Sequence, residues 1–388
     1  MANAAVRVLL RSLHSIVGGV VVSADPAPAP YPTLVAMTGN HPVPGSRSFA
    51  AATKIVEVTA GRRVGDIAIV LLSGGTSSLI GAPLAGMNGA DLSQLYEQLL
   101  GAGLDIRSMN VVRKRFSRWS AGRLALALAP AATHCFAVSD VDDDDLTAIG
   151  SGPCSPDAST AGDVRAILER ANLLARIPQA HRDYLAAAGR GAVPETPKKT
   201  HPAFAHVSAR VISGNRVAVE AAADAARQHG AIVEVVAERL AGEASVAGEQ
   251  IATELIERRR RATDSSGRPR CVIWGGETIV SLGASSRHTD GGRCQELALA
   301  AARALSGSGE AASGIALLAA GTDGRDGATD AAGAFVDATT WRTIGDSGVD
   351  AERSLASHAS HAALAAANAL MPRFESGTNV NDLVIGWV

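Results

Sequence analysis

Short apolar runs alternate along this chain with longer, alanine-rich stretches whose apolar positions recur at helical spacing. The runs predict strands over 67–72, 134–138, 209–212, 232–236, 271–274, 315–319 and 383–388. Several are apolar throughout rather than alternating, as strands covered by helices on both faces are. The periodic stretches predict helices over 91–100, with Asp91 as N-cap, and over 112–128, 216–229, 246–259, 295–305 and 355–370. Strands and helices in alternation give a layered α/β fold.

A proline-rich tract over 26–44 and a polar stretch over 189–202 read as irregular connections. The most linker-like segment starts at Arg258-Arg259-Arg260-Arg261 and continues through an Ala/Thr/Asp/Ser/Gly stretch to Arg268, with Pro269 next. With 388 residues the chain exceeds one ordinary core of about 100–200 residues, so this segment divides it into domains over 1–260 and 268–388.

Composition narrows the function classes. Thirty-six basic side chains against 38 acidic ones leave a net charge of −2, which offers no electrostatic case for nucleic acid. Only Lys54, Lys114, Lys198 and Lys199 among the basic residues are lysine, so chemistry that needs an amine has few candidates. Cys135, Cys154, Cys271 and Cys294 are far apart and form no C-x-x-C pair, which argues against zinc or redox chemistry and fits reduced thiols in the cytoplasm. No apolar run approaches the roughly 20 residues of a membrane helix. Arg7, Arg11 and the apolar residues 16–22 imitate a secretory signal, but the stretch is short and contains Gly18 and Gly19.

Three groups of residues carry candidate chemistry. The strand over 67–72 runs into Ser73-Gly74-Gly75-Thr76-Ser77-Ser78, which is either a plain glycine turn or a cradle of N–H groups and hydroxyls for an anion. It is not a Walker loop, since no Gly-Lys dipeptide occurs. The second group follows the strand over 134–138: Ser139-Asp140-Val141, then Asp142 to Asp145, then Gly150-Ser151-Gly152-Pro153. Its carboxylates at a strand's carboxyl end fit either solvation or a Mg²⁺ ion shared with phosphates, with Asp140 and Asp144 as the ligands. The third comprises Gly275-Gly276-Glu277-Thr278, Gly291-Gly292-Arg293 and Gly321-Thr322-Asp323-Gly324, three glycine loops that would build a pocket if they share one sheet edge. Arg293, at a helix start, is placed either for a surface ion pair or for bidentate capture of a carboxylate or phosphate.

These motifs, together with Met109-Asn110-Val111-Val112-Arg113-Lys114, Asp157, Gln295-Glu296, Asp326-Gly327 and Thr378-Asn379-Val380-Asn381-Asp382, occur in an order that resembles the glycerate 2-kinase family with its C-terminal MOFRL domain. The resemblance runs from about His41 to the end of the chain. It implies a Rossmann-like three-layer α/β/α N-terminal domain, a smaller mixed α/β C-terminal domain and a site in the cleft between them. It also implies ATP and Mg²⁺ as cofactors, and D-glycerate or a similar hydroxy acid as the substrate phosphorylated at its 2-hydroxyl. A homodimer is compatible with it; nucleic-acid and membrane partners are not expected. Asp323, Arg293, Asn381 and Lys114 become the expected catalytic set. Gly74, Gly75, Thr76, Ser77, Ser78, Arg113, Ser151, Gly152, Asn215 and Glu277 become the expected contacts to nucleotide or substrate.

The match departs from the family in places. Members open with a strand, a glycine turn and a Gly-Lys-Ala motif, and this chain aligns downstream of it, so the first domain is expected to lack that piece. Ser120, Ala121 and Gly122 stand where relatives usually have Lys-Gly-Gly, Cys294 replaces an Asn, and the segment before Thr378 is short. The alternative is therefore a truncated or degenerate member that binds nucleotide or a partner without turnover. Hydroxypyruvate reduction, a label attached to some relatives, would want Gly-x-Gly-x-x-Gly between a strand and a helix, and Gly101-Ala102-Gly103 does not supply it.

Overall fold

The computed structural model describes residues 1–12, 15–261, 267–282 and 290–388. The chain forms two compact units, Met1–Ile212 and Ser213–Val388. In chain order the first contains α1 (Ala2–Arg11), β1 (Gly19–Ser23), β2 (Leu34–Thr38), α2 (Ser46–Thr59), β3 (Ile67–Leu72), the short α3 (Thr76–Leu79), α4 (Gly89–Leu100), α5 (Ile106–Phe116), α6 (Arg123–Leu128), β4 (Ala132–Val138), α7 (Ala161–Arg170), α8 (Gln179–Gly189) and β5 (Val207–Ser213), whose last residue begins the second unit. β1 and β2 pair in parallel, and β3, β4 and β5 lie side by side in a separate sheet, with β3 and β4 parallel from Ile67↔Ala132 to Leu72↔Ala137. Helices α4, α5, α7 and α8 enclose a core of Leu92, Leu95, Tyr96, Val112, Phe116, Val164 and Leu168.

β3 is apolar throughout, yet only one of its faces is covered. Ile67 is 61% exposed and Ile69 is exposed as well, while Leu72 is buried. The helix predicted over 112–128 breaks in two, and the neighbouring chain explains why. Ala121 and Gly122 turn to positive φ so that their N–H groups reach the carbonyls of Ser151 (2.9 Å) and Gly152 (2.7 Å). A Cβ on Gly122 would lie 2.5 Å from the Phe204 ring, so both its φ and its space demand glycine. The Arg123 guanidinium closes the broken end of α5 by donating to the carbonyls of Lys114 (2.7 Å) and Ser117 (3.0 Å). Asn88, not Asp91, caps α4: its side chain accepts the Asp91 N–H at 2.7 Å.

The second unit holds α9 (Asn215–Gln228), β6 (Ile232–Val235), α10 (Ala244–Arg261), β7 (Arg270–Gly276), α11 (Arg293–Gly307), β8 (Ala316–Gly321), β9 (Ala331–Asp337), α12 (Thr340–Asp346), α13 (Ala351–Ala356), α14 (Ser360–Ala366), β10 (Leu370–Pro372) and β11 (Asp382–Trp387). Its six-stranded mixed sheet has the order β10-β9-β8-β11-β7-β6. β6 and β7 are parallel, and the last strand, β11, runs antiparallel to both neighbours. α9 covers one face through Val219, Ala223 and Ile273, and α10 and α11 cover the other through Ile251, Leu255, Val272, Leu297 and Val384. Small side chains let these helices close up: a Cβ on Gly248 of α10 would meet the Leu297 carbonyl at 2.1 Å.

The α/β class and two-part layout are as expected from the chain. The compact division falls at Ile212/Ser213 rather than at the arginine run, because α9, β6 and α10 belong to the second unit's layers. Arg258, in the last turn of α10, makes ion pairs to Glu234 (2.9 Å) and Glu254 (2.8 Å) and stacks over Trp274. The helix predicted over 355–370 is interrupted at His358, whose φ is 57°. Among the described residues no helix is long and apolar enough to cross a membrane.

Candidate active site

In the first unit the glycine turn after β3 meets the loop after β4. A Cβ on Gly74 would sit 2.1 Å from Asp140 Oδ2, so the missing side chain admits this carboxylate. Burial raises the Asp140 pKa, and the charge of His41 opposes the rise. The hydroxyls expected to converge on one point partly serve the turn itself. Thr76 donates to the Ser73 carbonyl (2.7 Å) and Ser78 to that of Gly75 (3.0 Å). α3 spans only four residues and offers no extended dipole.

Beside Thr76 lie Gly150, Ser151 and Gly152, all at φ between 57° and 63°. For Ser151 this conformation costs about 1–3 kcal/mol, a strain that usually persists where a site needs it. Ser151 is 1% exposed and its Oγ has no hydrogen-bond partner within the chain. The acidic run itself turns outward: Asp143 and Asp144 are exposed, Asp143 meets Arg107 at 3.2 Å, and Asp145 holds the Thr147 N–H. Among the described residues no group of three or more His, Cys, Asp or Glu side chains is placed to hold a metal ion.

α5 brings the cations. Asp105 caps it by accepting the Ser108 N–H at 2.8 Å, and Arg113, Lys114 and Arg115 are all buried. The Arg113 guanidinium lies 4.8 Å above the Tyr96 ring, an aromatic support of the cation–π kind, and its Nε has no partner within the chain. The Tyr96 hydroxyl donates to the Ser77 carbonyl (3.2 Å), which ties Arg113 to the glycine turn; burial pushes this phenol up to about 12. Lys114 Nζ stands 3.9 Å from Asp157. Burial lowers the lysine's pKa, and Asp157 and Asp145 oppose that. Lys198, outside every expected motif, donates to the Asp157 and Ser159 carbonyls and fixes the Asp157 turn.

In the second unit the three glycine loops do share one sheet edge. Asp382, the first residue of β11, lies in register with Gly276 at the end of β7 and Gly321 at the end of β8. Arg293 clasps it in a bidentate pair, Nε to Oδ2 at 2.5 Å and Nη2 to Oδ1 at 2.8 Å, and its Nη1 meets the half-exposed Glu277 at 3.0 Å. Burial works against the Arg293 charge, but Asp382 and then Glu277 outweigh it and the pKa rises. Burial raises the Asp382 pKa with Arg293 opposing; the two-point clasp by an arginine keeps the pair ionised at neutral pH.

Asn215, expected to touch a ligand, spends its amide on the backbone: Nδ2 donates to the carbonyls of Val380 (2.8 Å) and Asp382 (3.0 Å). It thereby holds Asn381, which sits at φ 67° and whose carbonyl accepts the Thr322 N–H (3.0 Å) and hydroxyl (2.6 Å). Asp323 is half-buried, with Oδ1 on the Arg325 N–H at 2.9 Å. Asp382 and Asp326 belong to the quoted motifs but not to the expected site residues. A carboxylate opening an otherwise apolar strand was the available signal for Asp382.

Residues 1–186 match a family described as a domain of unknown function, DUF4147, and residues 270–382 match the MOFRL family. The chain is 34% identical to a protein of Thermotoga maritima named D-glycerate 2-kinase, over all of this chain and 88% of that one. It is 35% identical to a putative hydroxypyruvate reductase of Agrobacterium vitis, over 94% of this chain and 80% of that one. A crystal structure of glycerate kinase from Thermotoga maritima superposes with a TM-score of 0.87, covering all of this chain and 88% of that one. Motifs, fold and full-length likeness agree, and the chain belongs to the glycerate kinase family that combines a DUF4147 domain with a MOFRL domain.

Proposed function

We propose that this chain is a glycerate 2-kinase, transferring the terminal phosphoryl group of ATP to the 2-hydroxyl of D-glycerate. The observation that carries the reading is the full-length likeness to a D-glycerate 2-kinase, together with an arginine clasped in position at the sheet edge. Phosphoryl transfer asks a protein chiefly to position anions and to neutralise developing charge.

The residues of the first unit offer groups for phosphates. Ser151 offers a buried hydroxyl and Arg113 a spare N–H, and with Lys114 and the backbone of Gly74, Gly75 and Gly152 they would hold phosphates. Mg²⁺ takes only one or two carboxylates beside phosphate oxygens, and Asp140, against Gly74, is the one placed beside the glycine turn, whereas the expected second ligand Asp144 is exposed on the outward-turned run; bound beside Asp140 the ion would neutralise phosphate charge. Arg293 receives the glycerate carboxylate or the moving phosphoryl group. Asp323 takes the proton of the 2-hydroxyl as the new O–P bond forms and the bridging bond to ADP breaks. Asn381 orients the acceptor, and Asn215 acts through the backbone that carries it.

An ADP-release assay with D-glycerate, ATP and Mg²⁺ tests the reading. Turnover that depends on all three is expected; no ADP above background would contradict it and favour binding without turnover. Because a relative is named a putative hydroxypyruvate reductase, the same preparation is also given hydroxypyruvate and NADH, whose consumption would overturn the kinase reading.

A further inference from the structure

We propose that Asp326 is a positioning residue for this reaction: it caps α11 from a separate loop and thereby holds Arg293 in the orientation that receives the anionic substrate. The inference rests on the role given above to Arg293 and adds a residue that the reading does not assign.

α11 begins at Arg293 with no cap of its own, because Gly292 at the N-cap position has no side chain. The first N–H groups of a helix need acceptors, and a carboxylate is the most favourable one at that end. Asp326 supplies both of its oxygens. Oδ1 accepts the Cys294 N–H at 3.0 Å, and Oδ2 accepts the Gln295 N–H at 2.8 Å and Gln295 Nε2 at 2.9 Å. Only glycine at 292 permits this, since a Cβ there would stand 2.3 Å from the carboxyl carbon. The capping loop is itself fixed: Thr329 Oγ1 donates to the Asp326 carbonyl (2.8 Å) and accepts from Gln295 Nε2 (3.0 Å), and the Asp326 N–H reaches the Ala331 carbonyl (2.9 Å).

Arg293 is therefore held at both ends. Asp326 sets where its backbone starts the helix, and Asp382 sets where its guanidinium points. Asp326 is 3% exposed and reaches Arg293 through the helix start, and because its loop also carries Asp323, the double-mutant cycle separates an effect through the arginine from one through that loop. A cap that merely stabilised the unit would lower the apparent kcat through the amount of folded protein and leave both KM values unchanged. With Arg293 on the glycerate carboxylate, a positioning cap acts on the KM of that substrate.

The test is a double-mutant cycle of Asp326→Asn and Arg293→Lys, with folding checked by thermal melting and kcat and KM measured for both substrates. Asp326→Asn is expected to raise the KM of D-glycerate about 10- to 100-fold with the ATP KM unchanged, and to add less than about twofold in the Arg293→Lys background. Equal losses in both backgrounds, or unchanged kinetics in folded Asp326→Asn, would overturn the proposal. If Arg293→Lys alone behaves as the parent, the reading of Arg293 fails first and this inference falls with it. Should Asp326→Asn not fold, Thr329→Val removes only the hydroxyl that braces the cap. A smaller loss confined to D-glycerate is then expected, and unchanged kinetics would overturn the proposal.

Discussion

Arg113 and Arg293 are both arginines drawn into the interior, and their surroundings differ. Arg293 is answered by Asp382 on two nitrogens and by Glu277 on a third, and the backbone behind Asp382 is answered by Asn215. Arg113 rests on the Tyr96 ring with its Nε unanswered, beside Lys114 at 3.9 Å from its carboxylate and close to a loop with an unanswered Ser151 hydroxyl. A buried charge that is paired and hydrogen-bonded is fixed before any ligand arrives. A buried donor without a partner costs free energy until an acceptor reaches it. The second unit thus holds a pre-set clasp, and the first holds spare donors suited to an anion that comes and goes, as nucleotide phosphates do.

Four substitutions break or sharpen this contrast. The largest effect is expected from Asp323→Asn, which removes the proposed proton acceptor and should lower kcat by about 10²–10⁴ while ATP binding stays measurable. Unaffected turnover in a steady-state assay would remove Asp323 from the mechanism. Next comes Arg293→Ala, which leaves Asp382 buried without its partner. A loss of about 3–5 kcal/mol in denaturant unfolding is expected, and a loss below 1 kcal/mol would show that the clasp is not a tightly coupled buried pair.

His181 sharpens the other side. It is fully buried against Phe116 with neither ring nitrogen bonded, and burial lowers its pKa from 6.5 to about 4. Above pH 6.5 it is neutral folded or unfolded and has no effect. Between about pH 6.5 and 4 only the unfolded chain takes up the proton, so stability falls with falling pH by up to ~3 kcal/mol. His181→Leu should flatten that part of the melting-temperature profile, and parallel profiles would contradict it. The smallest effect is expected from Tyr96→Phe, which keeps the ring under Arg113 and deletes the bond to the Ser77 carbonyl. A loss of about 0.5–1.5 kcal/mol in thermal unfolding is expected, and no change would mean the hydroxyl does not tie the turn to α5.

Where hydrophobic burial alone decides, the elements are legible. β3 matches its apolar run residue for residue, and β7 and β8 follow from theirs but run two residues further, to Gly276 and Gly321. β9 is not legible, since Ala331-Ala332-Gly333-Ala334 shows neither β-branching nor alternation and becomes a strand between β8 and β10. The break between α5 and α6 is equally hidden, because its cause is the Ser151 and Gly152 carbonyls about thirty residues away. The same holds at the site. Arg293 could be named from its place at a helix start, but its partner Asp382 is 89 residues distant, and the motifs placed the two in order without pairing them. Asn215 is expected as a ligand contact, and its bonds to the Val380 and Asp382 carbonyls, more than 160 residues away, are visible only in coordinates.

The contrast between clasp and spare donors is tested most directly by crossing two variants with two substrates, Lys114→Met and Arg293→Lys against ATP and D-glycerate in steady-state kinetics. Lys114→Met should raise the ATP KM by about tenfold or more and leave that of D-glycerate within about twofold, and Arg293→Lys should do the reverse. If both variants weaken the same substrate, or neither changes either constant, the division of labour proposed for the two units is wrong.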